Sequence, residues 1–242
     1  MILDFFKKHT PQPPPKVDLH SHLLPGLDDG VRTMDESMEI IEKFHAAGYR
    51  KLITTPHIMS DYFDNNRKII YDRLEEVRSE IKKHRIQIDL HAAAEYYLDE
   101  AFIEKLNKNE PLLTFGDNYV LFETAFMNEP IFLKDAVFKM NTSGYKPVFA
   151  HPERYLYLAR KPSLVQELLN MNVLFQLNIL SLKNYYSKEV RKFAQKLLKL
   201  NSIRFAGSDC HNLQQFNSFQ MALESREFSQ INTSNLLNEK IE

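Results

Sequence analysis

The sequence of 242 residues lacks several features that would tie it to a membrane or to an oxidising compartment. Its single cysteine, Cys210, cannot form an internal disulfide. It has no apolar run of roughly 18 residues, the length of a membrane-spanning helix, and no apolar stretch near the N-terminus typical of a signal peptide. We therefore expect a cytoplasmic protein with no membrane insertion.

An excess of charge of either sign is also absent. The 31 Lys and Arg residues nearly balance the 32 Asp and Glu residues, and the formal net charge is -1. Such a chain has no general attraction for nucleic acid, so we expect no nucleic-acid partner. One helical pattern is basic, and we interpret it as a solvated helix face. It carries Lys188, Arg191, Lys192, Lys196 and Lys199.

Apolar residues, by contrast, are plentiful. They make up 43% of the chain, with 17 Phe and 11 Tyr, which excludes a largely disordered protein. Residues 1–16 join a short apolar patch to a proline run, and we interpret them as an N-terminal arm. Because no Pro-, Gly- or Ser-rich linker interrupts the chain between residues 17 and 211, we predict that residues 17–242 form one domain.

Short β-prone runs alternate with helical patterns along this domain. The seven runs are 17–19, 52–55, 86–95, 119–122, 147–150, 173–177 and 203–207. A capping box of Thr33 and Glu36 opens the first helix, which ends at Gly48. Further helical patterns lie at 70–81, 130–141, 163–171 and 188–200. Strands that each precede a helix indicate βα units and a parallel sheet, so we predict an α/β fold whose seven units close into a barrel.

Residues of the kinds that bind metal ions follow the C-terminal ends of six of the seven predicted strands. They are His20 and His22, His57, Glu95, Glu123, His151, and Asp209 with His211. The C-terminal strand ends of a parallel barrel converge on one face, where the active sites of such barrels are built. The turn after the first strand adds the carboxylate of Asp29. Mixed imidazole and carboxylate ligands suit Zn, Mn or Fe, and the sequence has no thiolate cluster of the kind found in structural zinc sites.

The segments that contain these residues resemble the PHP (polymerase and histidinol phosphatase) superfamily. They are more closely similar to its CpsB/CapC branch, manganese-dependent protein-tyrosine phosphatases from capsule and exopolysaccharide operons. The segments are DLHSHLLPGLDDG (18–30), TPH (55–57), AAEYY (93–97), FET (122–124), HPERY (151–155) and SDCH (208–211). The resemblance implies a distorted seven-stranded TIM-like barrel with a trinuclear metal site at the C-terminal strand ends.

The resemblance also assigns the candidate ligands to three metal ions. It places His20, His22 and Asp209 on one ion, and makes Glu95 the bridge to a second. Glu123 and His151 complete the second ion. The third ion is assigned Asp29, His57 and His211. We expect two or three divalent cations, with Mn preferred over Fe, Zn or Mg.

The expected chemistry is hydrolysis of a phosphomonoester. Clustered divalent cations would neutralise phosphate oxygens and supply a hydroxide at neutral pH. Arg154 lies three residues after His151, and its guanidinium could grip two phosphate oxygens as a catalytic residue. The alternative for Arg154 is a surface ion pair with Glu153. A cysteine-dependent phosphatase is excluded, because it would need an arginine six residues after Cys210, where the sequence has Phe216.

The resemblance implies a phosphotyrosine protein as substrate and a bacterial tyrosine kinase as partner. Further copies of the chain are also expected as partners, but their arrangement is not taken from the resemblance. Two alternatives remain open. One is a PHP phosphatase for a small phosphomonoester such as histidinol phosphate, and the other is a metal-binding module that recognises phosphotyrosine without turnover. One departure from the branch bears on both: residues 212–219 lack the second arginine that its members commonly carry.

Overall fold

The fold is given by a computed structural model that describes residues 13–231 and 233–241. Within these residues the strands are β1 (Val17–Leu19), β2 (Lys51–Thr54), β3 (His57–Ile58), β4 (Asp89–Ala92), β5 (Glu95–Tyr97), β6 (Tyr119–Glu123), β7 (Lys146–Ala150), β8 (Leu174–Asn178) and β9 (Ile203–Gly207). One sheet has the order β1-β2-β4, and the other has the order β3-β5-β6-β7-β8-β9. Every ladder between these strands is parallel, which confirms the predicted α/β fold.

Helices alternate with the strands. Those in the described residues are α1 (Met34–Ala46), α2 (Arg67–Lys83), α3 (Glu100–Asn107), α4 (Leu133–Thr142), α5 (Leu156–Arg160), α6 (Pro162–Asn170), α7 (Lys188–Lys199) and α8 (Leu213–Leu223). Short 3₁₀ turns lie at Pro152–Arg154, Ile179–Leu182, Phe228–Gln230, Thr233–Asn235 and Asn238–Lys240. Helices α1, α2, α4, α6 and α7 match the predicted patterns, whereas α3, α5 and α8 were not predicted from the sequence. None of the described helices is long and apolar enough to cross a membrane.

The N-terminal arm predicted for residues 1–16 falls mostly outside the described residues, which begin at residue 13. Its last residue, Lys16, accepts hydrogen bonds from the backbone N–H groups of Arg50 and Lys51, at 2.7 and 3.1 Å. Lys16 therefore already lies beside the start of β2. The division into an arm and one domain over residues 17–242 stays a prediction.

Two of the seven predicted strands differ from the observed ones. The run 52–55 corresponds to β2 and is followed after Pro56 by a short strand that was not predicted, β3, while the run 86–95 becomes β4 and β5 with Ala93 and Ala94 between them. Proline has no backbone N–H to donate to a ladder, so pairing is interrupted at Pro56. Strands β2 and β4 pair in the three-stranded sheet, and β3 and β5 pair in the six-stranded sheet.

The first and last strands lie side by side, joined by single contacts instead of a regular ladder. An isolated parallel bridge joins Ser21 to Cys210, and the N–H of Asp209 donates to the carbonyl of His20 at 2.8 Å. Gly207 permits this approach, because a Cβ at that position would lie 1.8 Å from the carbonyl oxygen of Leu19. Residues almost two hundred positions apart in the chain are thereby brought to one end of the sheets.

Apolar side chains fill the space on both faces of the strands. Successive residues of β7 alternate: Val148 and Ala150 belong to a small interior cluster with Leu19 and Phe205, while Phe149 packs in the larger cluster beneath the helices. Strands buried on both faces are typical of parallel sheets covered by helices. On α7, Phe193 and Leu197 are buried. Its lysines at 188, 192, 196 and 199 are exposed, as expected for a solvated face, whereas Arg191 is partly buried and pairs with Glu227 at 2.8 Å.

Candidate metal centre

The carboxyl ends of the strands surround a cleft with a volume of about 340 Å³. Its lining residues are Asp29, His57, Met59, Phe63, Glu95, Tyr97, Glu123, Thr124, Ala125, Phe126, His151, Arg154, Asp209 and His211. His20 and His22 are fully buried and contact this lining through Glu95 and Asp209. The structure thus brings together all nine candidate metal ligands and Arg154.

A first group of donor atoms comprises His20, His22, Glu95 and Asp209, whose ligand atoms lie within 4.8 Å of one another. The Nε2 atom of His20 is 3.0 Å from Glu95 Oε2 and 3.2 Å from Asp209 Oδ1. The Nε2 atom of His22 is 3.5 and 3.4 Å from the same two oxygens. Two imidazoles therefore face two carboxylates across one small space.

A second group comprises His57, Glu95 and Glu123. The Nδ1 atom of His57 is 3.3 Å from Glu95 Oε2 and 3.1 Å from Glu123 Oε1. His151 adjoins this group, because its Nε2 lies 3.1 Å from Glu95 Oε1 and 3.8 Å from Glu123 Oε2. Glu95 is shared between the first and second groups, as a bridging carboxylate would be.

A third group comprises His22, Asp29, His57 and His211. The Oδ1 atom of Asp29 lies 3.5 Å from His57 Nε2 and 3.4 Å from His211 Nε2. The rings of His22 and His211 stack with centroids 4.0 Å apart. His22 and His57 each belong to two groups, whereas the resemblance assigned each of them to a single ion.

The donor set fits divalent cations. In the described residues, His22 Nε2 and His57 Nδ1 are buried without a hydrogen-bond partner, and both face carboxylate oxygens. Burial disfavours the charged form of His20, but the Glu95 and Asp209 carboxylates outweigh burial and raise its pKa to about 10. Burial also acts against the charge of Glu95, and the facing imidazoles of His20 and His57 more than compensate, so its pKa lies well below the usual range. Cations bound among these carboxylates would take the place of the imidazole protons.

The backbone is strained at three of the candidate ligands. His20, His151 and Asp209 have φ values of 93°, 33° and 51°, in the left-handed region that non-glycine residues seldom adopt. The other positive φ values of non-glycine residues in the described chain belong to four asparagines and Arg85. Strained backbone is common at functional sites. It persists there because contacts with the surrounding structure compensate for its cost in free energy.

Two residues that were not predicted to belong to the site orient the histidines. The Nδ1 atom of His22 donates to Asp28 Oδ2 at 2.7 Å, and that of His20 donates to Gln176 Oε1 at 2.9 Å. Each bond uses Nδ1, so the Nε2 atom points toward the carboxylates of Glu95 and Asp209. Gln176 also accepts the backbone N–H of His151 at 3.2 Å. The available signal was the alternation of polar Gln176 and Asn178 in an otherwise apolar strand, the one strand end without a predicted ligand.

Arg154 lies at the cleft with its guanidinium fixed on several sides. Its Nη1 donates to Asp209 Oδ2 at 2.9 Å, and the rings of Phe126 and Tyr186 lie 4.6 and 4.4 Å from its Cζ. The alternative of an ion pair with Glu153 is wrong, because Glu153 is buried and its Oε1 accepts the backbone N–H of Asn178 at 3.0 Å. Glu153 therefore points away from Arg154 into the protein. The carboxylate that pairs with Arg154 is Asp209, in the segment after β9.

Cys210 separates two candidate ligands and is itself buried. Burial raises the pKa of its thiol far above the ordinary value, and its Sγ donates to the carbonyl of Asn212 at 3.5 Å. The group is therefore a thiol at neutral pH, which is unsuited to nucleophilic attack.

Comparison with known proteins gives a consistent picture. The family model described as capsular polysaccharide synthesis, CpsB/CapC, matches residues 16–223. The tyrosine-protein phosphatase CpsB of Streptococcus agalactiae is 31% identical over 203 residues, which cover 81% of this chain and 83% of that protein. The tyrosine-protein phosphatase YwqE of Bacillus subtilis is 27% identical over 197 residues, covering 81% and 78%.

The fold is also similar to solved structures. One belongs to a study of YwqE from Bacillus subtilis and CpsB from Streptococcus pneumoniae, described as metal-dependent tyrosine phosphatases. It matches with a TM-score of 0.79 and 26% identity over 93% of this chain and 94% of that one. A histidinol phosphate phosphatase from Lactococcus lactis matches with a TM-score of 0.54 and 14% identity over 86% and 92%, a likeness in fold alone.

Proposed function

This chain belongs to the CpsB/CapC family of capsular polysaccharide synthesis, and from that premise we propose that it is a metal-dependent phosphatase acting on phosphotyrosine in a protein. The family resemblance noted in the sequence is thereby confirmed. The observation that carries the proposal is the opening of three overlapping groups of His, Asp and Glu donors into a cleft that also presents Arg154.

The proposed metal ligands are the nine residues predicted from the sequence. His20, His22, Glu95 and Asp209 would hold one cation, with Glu95 shared with a second that His57, Glu123 and His151 approach. Asp29, His57 and His211, with His22, would hold a third. We propose two or three cations, preferably Mn, since histidine and carboxylate ligands together suit first-row metals and no thiolate is present among them. When bound, such cations would neutralise phosphate oxygens and lower the pKa of a water molecule.

Arg154 is proposed to bind the phosphoryl group. A guanidinium carries five N–H donors in a planar fork, and the Asp209 contact uses Nη1 alone. The remaining donors can take two phosphate oxygens together, and they would hold the charge that spreads over those oxygens as the bond to the leaving group breaks. The side chain is 22% exposed at the cleft, so a substrate can reach it.

The leaving group favours phosphotyrosine over phosphoserine. A tyrosyl oxyanion, with a conjugate acid of pKa ~10, departs without much help from an acid, whereas an alkoxide needs a proton donor. All the carboxyl groups of the described cleft lining belong to the proposed metal-donor groups, so none of them is left to act as that proton donor. Phe126 is 39% exposed, and Phe63 stacks on His57 with centroids 5.6 Å apart, so both offer apolar surface to a phenyl ring.

We propose the phosphorylated, tyrosine-rich tail of a bacterial tyrosine kinase as the substrate, which places the activity in the cytoplasm with such a kinase. A flexible tail suits the open cleft, because each phosphotyrosine can enter separately. Further copies of the chain are also proposed as partners.

The proposal is tested by steady-state kinetics of the Mn-loaded protein on three substrates. These are a phosphotyrosine peptide, the same peptide with phosphoserine, and histidinol phosphate. We expect kcat/KM to be highest for phosphotyrosine. A higher kcat/KM for histidinol phosphate would replace this function by the small-molecule alternative. Binding of the phosphotyrosine peptide without any turnover would replace it by the non-catalytic module.

A further inference from the structure

Asn178, at the end of β8, is hydrogen-bonded to both the candidate ligand Asp209 and Tyr186. Its Nδ2 donates to Asp209 Oδ2 at 2.9 Å and to the hydroxyl of Tyr186 at 2.8 Å. Its Oδ1 accepts the backbone N–H of Leu180 at 2.9 Å. The side chain is fully buried, and both of its ends are hydrogen-bonded, so its orientation is fixed.

Tyr186 in turn lies against Arg154. Its ring centroid is 4.4 Å from the guanidinium carbon, within the range in which a cation is attracted by an aromatic face. Phe126 flanks the same carbon at 4.6 Å. Because Arg154 also donates to Asp209 Oδ2, the contacts form a closed circuit of Asn178, Tyr186, Arg154 and Asp209.

The circuit matters because the phosphate clamp proposed above depends on one basic side chain. Arg154 is the sole arginine or lysine in the described lining of the cleft, and residues 212–219 lack the second arginine common in the family branch. A phosphate clamp built on one long, flexible side chain depends on how well that chain is held before the substrate arrives.

We propose that Tyr186 is a positioning residue for Arg154, anchored through its hydroxyl by Asn178. The proposal rests on the function proposed above. The aromatic ring restricts the guanidinium to one plane, and the bond from Asn178 keeps the ring from rotating away. Tyr186 lies outside the cleft lining and acts on phosphate through Arg154.

The first test compares Tyr186→Leu, which removes the ring, with Tyr186→Phe, which removes only the anchoring bond. We expect Tyr186→Leu to lower kcat/KM for the phosphotyrosine peptide by roughly 10- to 100-fold, the scale of a misplaced binding group. The affinity for inorganic phosphate, measured by calorimetry on the Mn-loaded protein, should fall with it. Tyr186→Phe should give a smaller loss in both measurements. Metal content and thermal stability report whether the variants are otherwise intact.

A matched control is Tyr71→Leu, which removes another tyrosine ring beside an arginine, 5.9 Å from Arg67 on α2 and outside the cleft. It should leave both kinetics and phosphate affinity unchanged. Wild-type values for Tyr186→Leu, with metal content retained, would overturn the proposal.

The decisive test is a double-mutant cycle with Arg154→Ala. If Tyr186 acts through Arg154, Tyr186→Leu should cause no further loss of kcat/KM or phosphate affinity once Arg154 is absent. Multiplying losses in the double variant would show that the two residues act independently and would overturn the proposal. Failure of the proposed function is distinguishable, since the wild-type protein itself would then hydrolyse no phosphotyrosine.

Discussion

Arg154 and Asp209 share a hydrogen bond of 2.9 Å that uses the carboxylate oxygen turned away from the histidines. That oxygen is Oδ2, whereas Oδ1 lies 3.2 Å from His20 Nε2 and 3.4 Å from His22 Nε2. One side chain therefore joins the proposed phosphate clamp to the first group of metal donors. Burial would raise the pKa of Asp209, but the positive charge and hydrogen bonding of the facing histidines lower it well below its usual range. The carboxylate is therefore ionised, and it faces the histidines with one oxygen and Arg154 with the other.

The first prediction concerns the arginine. Arg154→Ala should lower kcat/KM for a phosphotyrosine peptide by roughly 10² to 10³, the scale for losing one preorganised transition-state donor. Arg154→Lys should recover little, because an ammonium restores the charge without the planar fork. Steady-state kinetics measures both, and elemental analysis should show unchanged metal content.

Arg160→Ala is the matched control for this prediction, since Arg160 is an exposed arginine at the end of α5. It should behave as wild type. Unchanged kinetics in Arg154→Ala would rule out the clamp.

The second prediction is metal dependence. We expect elemental analysis to find two or three Mn ions per chain after loading, and expect chelation by EDTA to abolish activity that Mn then restores. His57→Ala should lose metal, because His57 contributes to two of the three donor groups. His91→Ala should keep it, because His91 is 41% exposed and pairs with Asp89 at 2.7 Å outside the cleft. At most one metal per chain, with full activity in EDTA, would contradict the prediction.

The third prediction concerns Asp28, which accepts from His22 Nδ1 and from the backbone N–H of His57. Removing such an orienting carboxylate commonly weakens metal affinity by about 10- to 100-fold, and we expect a loss of this size in Asp28→Ala. Competition with a metal-binding dye measures the affinity. Asp35→Ala, an exposed aspartate in the first turn of α1, should leave the affinity unchanged. Equal affinities for the two variants would show that Asp28 does not support the site.

The fourth prediction concerns the single cysteine. Cys210→Ser should retain most of the phosphatase activity, because the buried thiol is not the proposed nucleophile. Steady-state kinetics and elemental analysis on the variant provide the check. A roughly thousandfold or larger loss of turnover rate, equivalent to about 4 kcal/mol of barrier, with unchanged metal content would refute this.

Much of the site could be predicted from local sequence alone. Each candidate ligand follows the end of a predicted strand, and the convergence of strand ends is a property of any parallel barrel. The start of helix α1 could likewise be predicted from neighbouring residues. The side chain of Thr33 accepts a hydrogen bond from the backbone N–H of Glu36 at 3.2 Å, within the same turn. The left-handed backbone of His20 and Asp209, with φ values of 93° and 51°, was not predicted from the sequence.

Other features depend on contacts between distant segments. The break of β4 from β5 at Ala93 and Ala94 follows from pairing with different sheets, which no local pattern encodes. Helix α8 was not predicted, because its buried face packs against a segment far away in sequence. The ring of its buried Phe216 lies 4.8 Å from that of Phe44 in α1. Helices α3 and α5 are short, so their periodicity covers few residues.

The hydrogen-bond and ion-pair partners of the site residues are determined by the tertiary structure. Sequence proximity pairs Arg154 with Glu153, yet burial turns Glu153 toward Asn178, and the charge of Arg154 is met by Asp209 from the segment after β9. Gln176 and Asn178 have ordinary amide side chains, and their roles arise because β8 lies between β7 and β9. Residue type and spacing identify which groups can bind a metal, whereas hydrogen-bond partners depend on which strands become neighbours, and that is a property of the whole packed structure.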